Sequence, residues 1–211
     1  MVWLNFYESI SFLNENRIKC VTTEVIISEK QLSKYTNFPY VLKLSSSLLH
    51  KTDVKGVYIN LFSKEQLVSS FKKLNDVLKE KKIDGKITIQ KQISGLELII
   101  GIKEDKQFGK IILFGSGGIY TEILKDVSIR LLPLDSRGAD KLIAESKISK
   151  IILGNENGED LRGKKYPIVD LKKLLINISE VIIKKNIKEL DLNPIIINED
   201  GVFIVDARVE L

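Results

Sequence analysis

The chain has 211 residues, with 33 Lys or Arg against 28 Asp or Glu, for a formal charge of +5. That length can bury a real core in one domain or two small lobes, and 44% hydrophobic with 29% charged residues is ordinary for a globular protein. One cysteine, Cys20, excludes an internal disulfide framework, and no Cys/His cluster has zinc spacing, which fits a reducing cytoplasm. No apolar run approaches the roughly twenty residues that span a bilayer, so no membrane is expected. The opening MVWLNFYESISF lacks a basic region and a small-residue cleavage site, so it is not expected to be a signal peptide. The lysines are spread out and no basic motif interleaved with aromatics occurs, so nucleic acid is not an expected partner.

Phe6, Ile10 and Leu13 mark one face of an opening helix ending near Asn14 to Asn16. Lys19 to Ile27 reads as a strand, and Ser28 with Gln31 is a capping box for a short helix through Tyr35. The strand YVLKL follows Pro39, then the loop SSSLLHKTDVKG and the strand VYINLF. Ser63 and Gln66 form a second capping box, ahead of a helix with Leu67, Phe71, Leu74 and Leu78 on one face. Asp84-Gly85 turns the chain into KITIQKQI, Ser94-Gly95 into LELIIGIK, and the segment Glu104 to Gly109 into KIILF. GSGGIYTEILKDVSIRLLPLD follows, then a helix expected from about Ala139 to Leu153 and a long polar loop from Gly154 to Pro167. Asp170 is expected to cap a helix burying Leu171, Leu174, Leu175, Ile178 and Ile182. The middle of the chain is a run of hairpins without regular β-α-β alternation. That points to an α+β pair of lobes hinged at Gln90 to Gly95.

The last twenty residues carry the densest signal. ELDLNPIII and GVFIVDAR read as two strands joined by Asn198-Glu199-Asp200-Gly201. Strand alternation then puts Asp191, Asn193, Ile195 and Ile197 on one face, and Val202, Ile204, Asp206 and Arg208 on one face of the partner. A four-residue loop pairs Ile197 with Val202, Ile195 with Ile204, Asn193 with Asp206 and Asp191 with Arg208. An Asn amide oxygen opposite an Asp carboxylate is a hard-oxygen pair suited to Mg²⁺ shared with substrate phosphates. The alternative is a plain strand end with Asp191 salt-bridged to Arg208.

Three further features bear on chemistry. Lys43 stands mid-strand on the face opposite Leu42 and Leu44, either meeting an anion such as a nucleotide phosphate or snorkelling from an edge strand. His50, the only histidine, lies in the following loop, where it is either a surface residue or a nucleophile toward phosphorus. Gly115, Gly117 and Gly118 follow a hydrophobic strand and would let backbone N–H groups approach an anion. The loop has neither the GK[ST] of a Walker motif nor GxGxxG.

Four ordered stretches, YVLKLSSSLLHKTDVKGV, ISGLELIIGIKEDKQFG, ILFGSGGIYTEILKDVSIRLLPLD and ELDLNPIII…VFIVDAR, together resemble the ATP-grasp β subunit of the ADP-forming acetyl-CoA (acyl-CoA) synthetases. The resemblance covers nearly the whole chain. It implies an ATP-grasp fold, with an N-terminal lobe over 1–89, a C-terminal lobe over 90–211 and nucleotide between them. It also implies interconversion of acyl-CoA, ADP and phosphate with acid, ATP and CoA, through an acyl phosphate and a phosphohistidine on a CoA-binding α subunit, in an α2β2 complex.

Residue by residue, the resemblance gives Lys43 to the ATP phosphates, and Asn193 and Asp206 to Mg²⁺. It makes His50 a second transient phosphate carrier and Asp191 an orienting group for a phosphohistidine. Gln90, Lys91, Gln92, Ile93 and Glu97 would line the nucleotide cleft, and Gly115, Gly117 and Gly118 would face the incoming phosphate. The sequence departs from the family pattern at Lys55, where glycine is usual, at Ser116, where leucine is commoner, and at Lys91-Gln92 in the hinge. The alternatives are another ATP-grasp ligase, of succinyl-CoA or carboxylate–amine type, and a non-catalytic nucleotide-binding subunit.

Overall fold

The computed structural model describes residues 2–46, 56–118 and 126–211, which build two antiparallel sheets with separate cores. The smaller sheet has the order β1-β4-β2-β3, from β1 (Thr23–Ile26), β2 (Tyr40–Ser45), β3 (Val57–Leu61) and β4 (Lys86–Lys91). Its Leu42, Leu44, Ile87 and Ile89 project to one face and bury against Leu67, Phe71 and Leu74 of α2 (Lys64–Glu80) and Leu32 of a 3₁₀ helix, Glu29–Lys34. The spacing of four and three between Leu67, Phe71 and Leu74 is what lets a helix cover a sheet with one stripe. Ser63 closes the start of α2 by accepting the Gln66 N–H at 3.3 Å, while Gln66 Oε1 accepts the Phe62 N–H at 2.7 Å.

The larger sheet runs β10-β8-β5-β6-β7, with β9 also paired to β8. Its strands are β5 (Leu96–Asp105), β6 (Gly109–Ser116), β7 (Val127–Leu131), β8 (Glu189–Asn198), β9 (Gly201–Ile204) and β10 (Arg208–Glu210). One face is covered by helices, among them α1 (Phe6–Glu15), α3 (Ser136–Ala144), α4 (Ser149–Ile152) and α5 (Ile168–Lys184). Leu171, Leu175, Ile178 and Ile182 of α5 are fully buried there, each worth about 1.5–3 kcal/mol of transfer free energy. Phe6, Ile10 and Leu13 of α1 join this second core although they precede the smaller sheet in sequence. The chain therefore leaves the larger body, builds the smaller sheet, and returns through residues 92–95.

Three local expectations change. The helix expected over Ala139 to Leu153 is two helices, broken at 145–148, where the backbone N–H groups of Lys147 and Ile148 turn to the Asp126 carboxylate. Helix α5 begins at Ile168 directly behind Pro167, which leaves Asp170 in the first turn rather than at the cap. The strand expected from Lys19 to Ile27 divides between the sheets: Val21 donates to Ile204 O at 3.0 Å in the larger one, and only Thr23–Ile26 joins the smaller. Among the described residues no helix is long and apolar enough to cross a membrane.

Candidate functional site

The terminal hairpin has the expected register, with Ile197 opposite Val202, Ile195 opposite Ile204 and Asp191 opposite Arg208. The expected pairing of Asn193 with Asp206 falls in residues 205–207, between β9 and β10 and outside the paired strands; Asp191 and Ile195, like Ile204 and Arg208, are four positions apart, so Asn193 and Asp206 stand at the midpoints of facing segments. The expected sharing of faces does not hold. Asp191 is half-buried, whereas Ile195 and Ile197 lie in the core with Leu190 and Leu192. The cause is a bulge: Leu98 pairs with Ile195 and Ile100 with Leu192, so Asn193 and Pro194 together oppose the single residue Ile99. One extra residue inverts the alternation of β8. Hence Asp191 and Asn193 face away from the helices, and Pro194 and Ile196 continue that face on the other side of the bulge.

That outward face meets the polar face of the smaller sheet. Strand β2 is interior, paired to β3 on one side and β4 on the other, so Lys43 is not the snorkelling lysine of an edge strand. Its residue exposure is 6%, its ammonium donates to Val205 O at 2.5 Å, and Nζ lies 4.6 Å from the centre of the Phe6 ring. A buried ammonium needs such partners, since its desolvation costs several kcal/mol. The bond spans 162 positions of sequence and brings a cation of one sheet beside Asp206 of the other. Asp206 is itself buried.

Lys43, Gln90, Lys91, Gln92, Ile93, Glu97 and Asp206 all line one cleft of about 200 Å³, together with Pro194 and Ile196. Several of these side chains are fixed by neighbours. Gln90 Nε2 donates to Thr23 Oγ1 at 2.8 Å, and the Lys91 ammonium donates to Asn37 O and stands 5.2 Å from the Tyr40 ring. The Gln92 amide exchanges two bonds of 2.6 Å with Asn60, and its backbone N–H donates to Pro39 O at 3.1 Å. The hinge segment is thus held rigidly along one wall.

The glycines close the other end. Gly118, at φ +63°, donates its N–H to Asn193 Oδ1 at 2.9 Å, and Gly117 donates to Glu97 O at 2.8 Å. A Cβ on Gly118 would stand 1.6 Å from a Glu97 carboxylate oxygen, one on Gly117 2.3 Å from Leu98 O, and one on Gly115 1.7 Å from Asp126 O. Close approach of backbone demands glycine at 115 and 117, and the left-handed φ favours it at 118. The N–H groups of Gly117 and Gly118, expected to be offered to an anion, are engaged within the protein. Their work in this geometry is to set Glu97 and Asn193.

Asn193 Oδ1 keeps a second lone pair beside the one that accepts from Gly118. Among the described residues no three His, Cys, Asp or Glu side chains form a metal cage. Two protein oxygens, one amide and one carboxylate, nevertheless fit Mg²⁺, which retains waters and takes its remaining ligands from phosphate. His50 lies outside the described residues. Asp191 sits two residues from Asn193 on the same outward face, between Gly101 and Arg208.

Two participants escaped the sequence reading. The Val205 carbonyl carries no side-chain signal at all. Asp126 is 2% exposed and accepts from Ser116 Oγ at 2.6 Å, from Lys147 N–H at 2.5 Å and from Ile148 N–H at 2.9 Å. Burial pushes its carboxyl pKa up, but the hydrogen bonds from Ser116, Lys147 and Ile148 outweigh that and hold it below the usual carboxylate range. The available clue was a lone Asp just ahead of the strand VSIRL, ten positions after a serine that ends the hydrophobic run KIILFG.

Two antiparallel sheets with a cleft between them, lined by Lys43 of one and by Asp206 beside the other, are the arrangement of an ATP-grasp domain. The family model for the ATP-grasp domain matches residues 1–211. The chain is 37% identical over 185 residues to acetate–CoA ligase [ADP-forming] II subunit beta of Pyrococcus furiosus, covering 82% of this chain and 75% of that one. It is 35% identical over 208 residues to acetate–CoA ligase [ADP-forming] II of Archaeoglobus fulgidus, covering 96% of this chain but only 29% of that protein. Among solved structures, dinucleotide-forming acetyl-coenzyme A synthetase 1 of Ca. Korarchaeum cryptofilum, in complex with coenzyme A and Ca-AMPCP, superposes with a TM-score of 0.85 at 32% identity, covering 99% of this chain and 93% of that one. The chain belongs to the ATP-grasp family, in the branch of the ADP-forming acetyl-CoA synthetase β subunits.

Proposed function

We propose that the chain is the nucleotide-binding β component of an ADP-forming acyl-CoA ligase. In the net reaction, acyl-CoA, ADP and phosphate are interconverted with the free acid, ATP and CoA. The observation that carries this reading is the buried Lys43 ammonium held against Val205, next to Asp206, across the cleft between the sheets. Phosphoryl transfer is mostly positioning and charge neutralisation, and the residues around this cleft would supply both. Lys43 would neutralise nucleotide phosphate, the Gln90 to Ile93 wall would hold the adenine, and Glu97 would line the cleft between them. Asn193 and Asp206 would hold Mg²⁺, whose charge offsets that of the phosphates when it is bound. Gly115, Gly117 and Gly118 would keep the phosphate end of the cleft in shape.

The chain spans 29% of the Archaeoglobus fulgidus ligase and matches proteins named as β subunits, which supports a need for a CoA-binding α partner, in an α2β2 complex. The Korarchaeum enzyme has been solved with Mg-AMPPCP and a phosphohistidine segment pointing towards its nucleotide site. By extension, Asp191 would orient such a segment here and His50 would accept its phosphate in transit. The setting proposed is the cytoplasm. Calorimetry with Mg-ADP on the purified chain, followed by acyl-CoA-dependent ATP synthesis with and without the α chain, tests this. Binding alone and turnover only with α are expected; full turnover by the chain alone would refute the division of labour.

A further inference from the structure

We infer that Ser116 and Asp126 are a positioning pair that aims Asn193 at its metal. This rests on the reading of Asn193 and Asp206 as Mg²⁺ ligands, and neither Ser116 nor Asp126 touches the cleft in that scheme.

The connection is a short relay of hydrogen bonds. Asp126 receives the N–H groups of Lys147 and Ile148 where α3 gives way to α4, and so is anchored to the helical layer. The same carboxylate takes the Ser116 hydroxyl at 2.6 Å, while its own backbone carbonyl accepts the Ser116 N–H at 3.3 Å. Ser116 is the last residue of β6, held on both side chain and main chain. The next two residues then place their N–H groups on Glu97 O and on Asn193 Oδ1.

Gly117 and Gly118 have no side chains of their own to anchor them, and Gly118 sits at positive φ. On the β6 side the adjoining fixed point is Ser116. An amide side chain that donates and accepts can rotate about its last torsion, and the N–H of Gly118 at 2.9 Å selects the orientation in which the oxygen faces the glycine turn. Groups one bond removed from a metal ligand commonly govern its affinity, by about tenfold or more on removal. Here the task of holding the turn falls to a hydroxyl.

The test is the ratio of ADP dissociation constants with MgCl₂ and with EDTA, measured by calorimetry for the wild-type chain, Ser116→Ala and Ser116→Thr. Ser116→Ala should weaken Mg-ADP binding by about tenfold while metal-free ADP binding stays within about twofold, and Ser116→Thr, which keeps the hydroxyl, should restore the ratio. Equal weakening with and without Mg²⁺, or no weakening, would overturn the inference. If Ser116→Ala does not fold, Ser116→Cys keeps the shape with a weaker donor and is judged by the same ratio. A wild-type chain whose ADP affinity ignores Mg²⁺ would instead refute the metal reading itself, a distinguishable result.

Discussion

Replacing Lys43 with methionine removes the ammonium while retaining an unbranched stem in the same slot. The ammonium donates to Val205 O at 2.5 Å and lies 4.6 Å from the Phe6 ring, so its loss removes a charged hydrogen bond worth about 1.5–3 kcal/mol. Against that stands the desolvation of a charge at 6% exposure, a term of the same order, which methionine does not incur. The fold should therefore change by only about 1 kcal/mol, or roughly 2–4 °C in Tm at this size. Nucleotide binding should behave differently. Losing the cation proposed to face the phosphates should weaken ATP by about 2 kcal/mol, near 30-fold, whereas adenosine, which has no phosphate, should bind within about twofold of wild type. Calorimetry with both ligands and a thermal melt decide the matter. Equal losses for ATP and adenosine, or an unchanged ATP affinity, would mean that Lys43 only ties the two sheets together.

Gly117→Ala would bring a Cβ to 2.3 Å from Leu98 O, so a loss of about 2 kcal/mol or more is expected; an unchanged melting temperature would contradict the close approach. Burial pushes the Cys20 thiol up to about 12, so a thiol reagent at pH 8 should label it only on unfolding, and rapid labelling of the native chain would count against its burial. Asp126 has a folded pKa below its unfolded value, so its stabilisation is complete above the ordinary carboxylate range and is lost as pH falls through the folded value. The stability gap between wild type and Asp126→Asn should thus narrow below about pH 4, as followed by denaturant titration, and a gap independent of pH would disprove the assignment.

Much of this site could be read before any coordinates. Lys43 interrupts an apolar strand, and Asn193 and Asp206 sit at matching distances from a turn; each is a local pattern, and local patterns survive folding. What failed was propagation of the alternation through ELDLNP. The rule holds only while both strands advance together, and the extra residue at Asn193-Pro194 breaks that equality in a way one strand cannot reveal. The pinned N–H groups of Gly117 and Gly118 were hidden for a related reason: their acceptors, Glu97 O and Asn193 Oδ1, come from other strands. The helix break at 145–148 depends likewise on Asp126, some twenty positions earlier. The family resemblance supplied what periodicity could not, namely that these separated stretches belong to one cleft.

Residues 21–22 and 92–95, which carry the chain out of the larger body and back, emerge side by side, because Thr23 pairs with Gln90 at the start of the smaller sheet. A body tethered at one point can tumble, but one tethered by a two-stranded ribbon has a single easy direction of swing. The smaller sheet is tied down again away from the ribbon, by Lys43 donating to Val205 O and by Ser45 Oγ, which accepts the Tyr7 N–H and donates to Asn5 Oδ1. Gly95, where a side chain would collide with Ile197 O at 2.4 Å, sits at the root of that ribbon. A nucleotide entering between the sheets would therefore meet two walls fixed to each other at the ribbon and again at Lys43, with the pair proposed to hold its metal on the larger body.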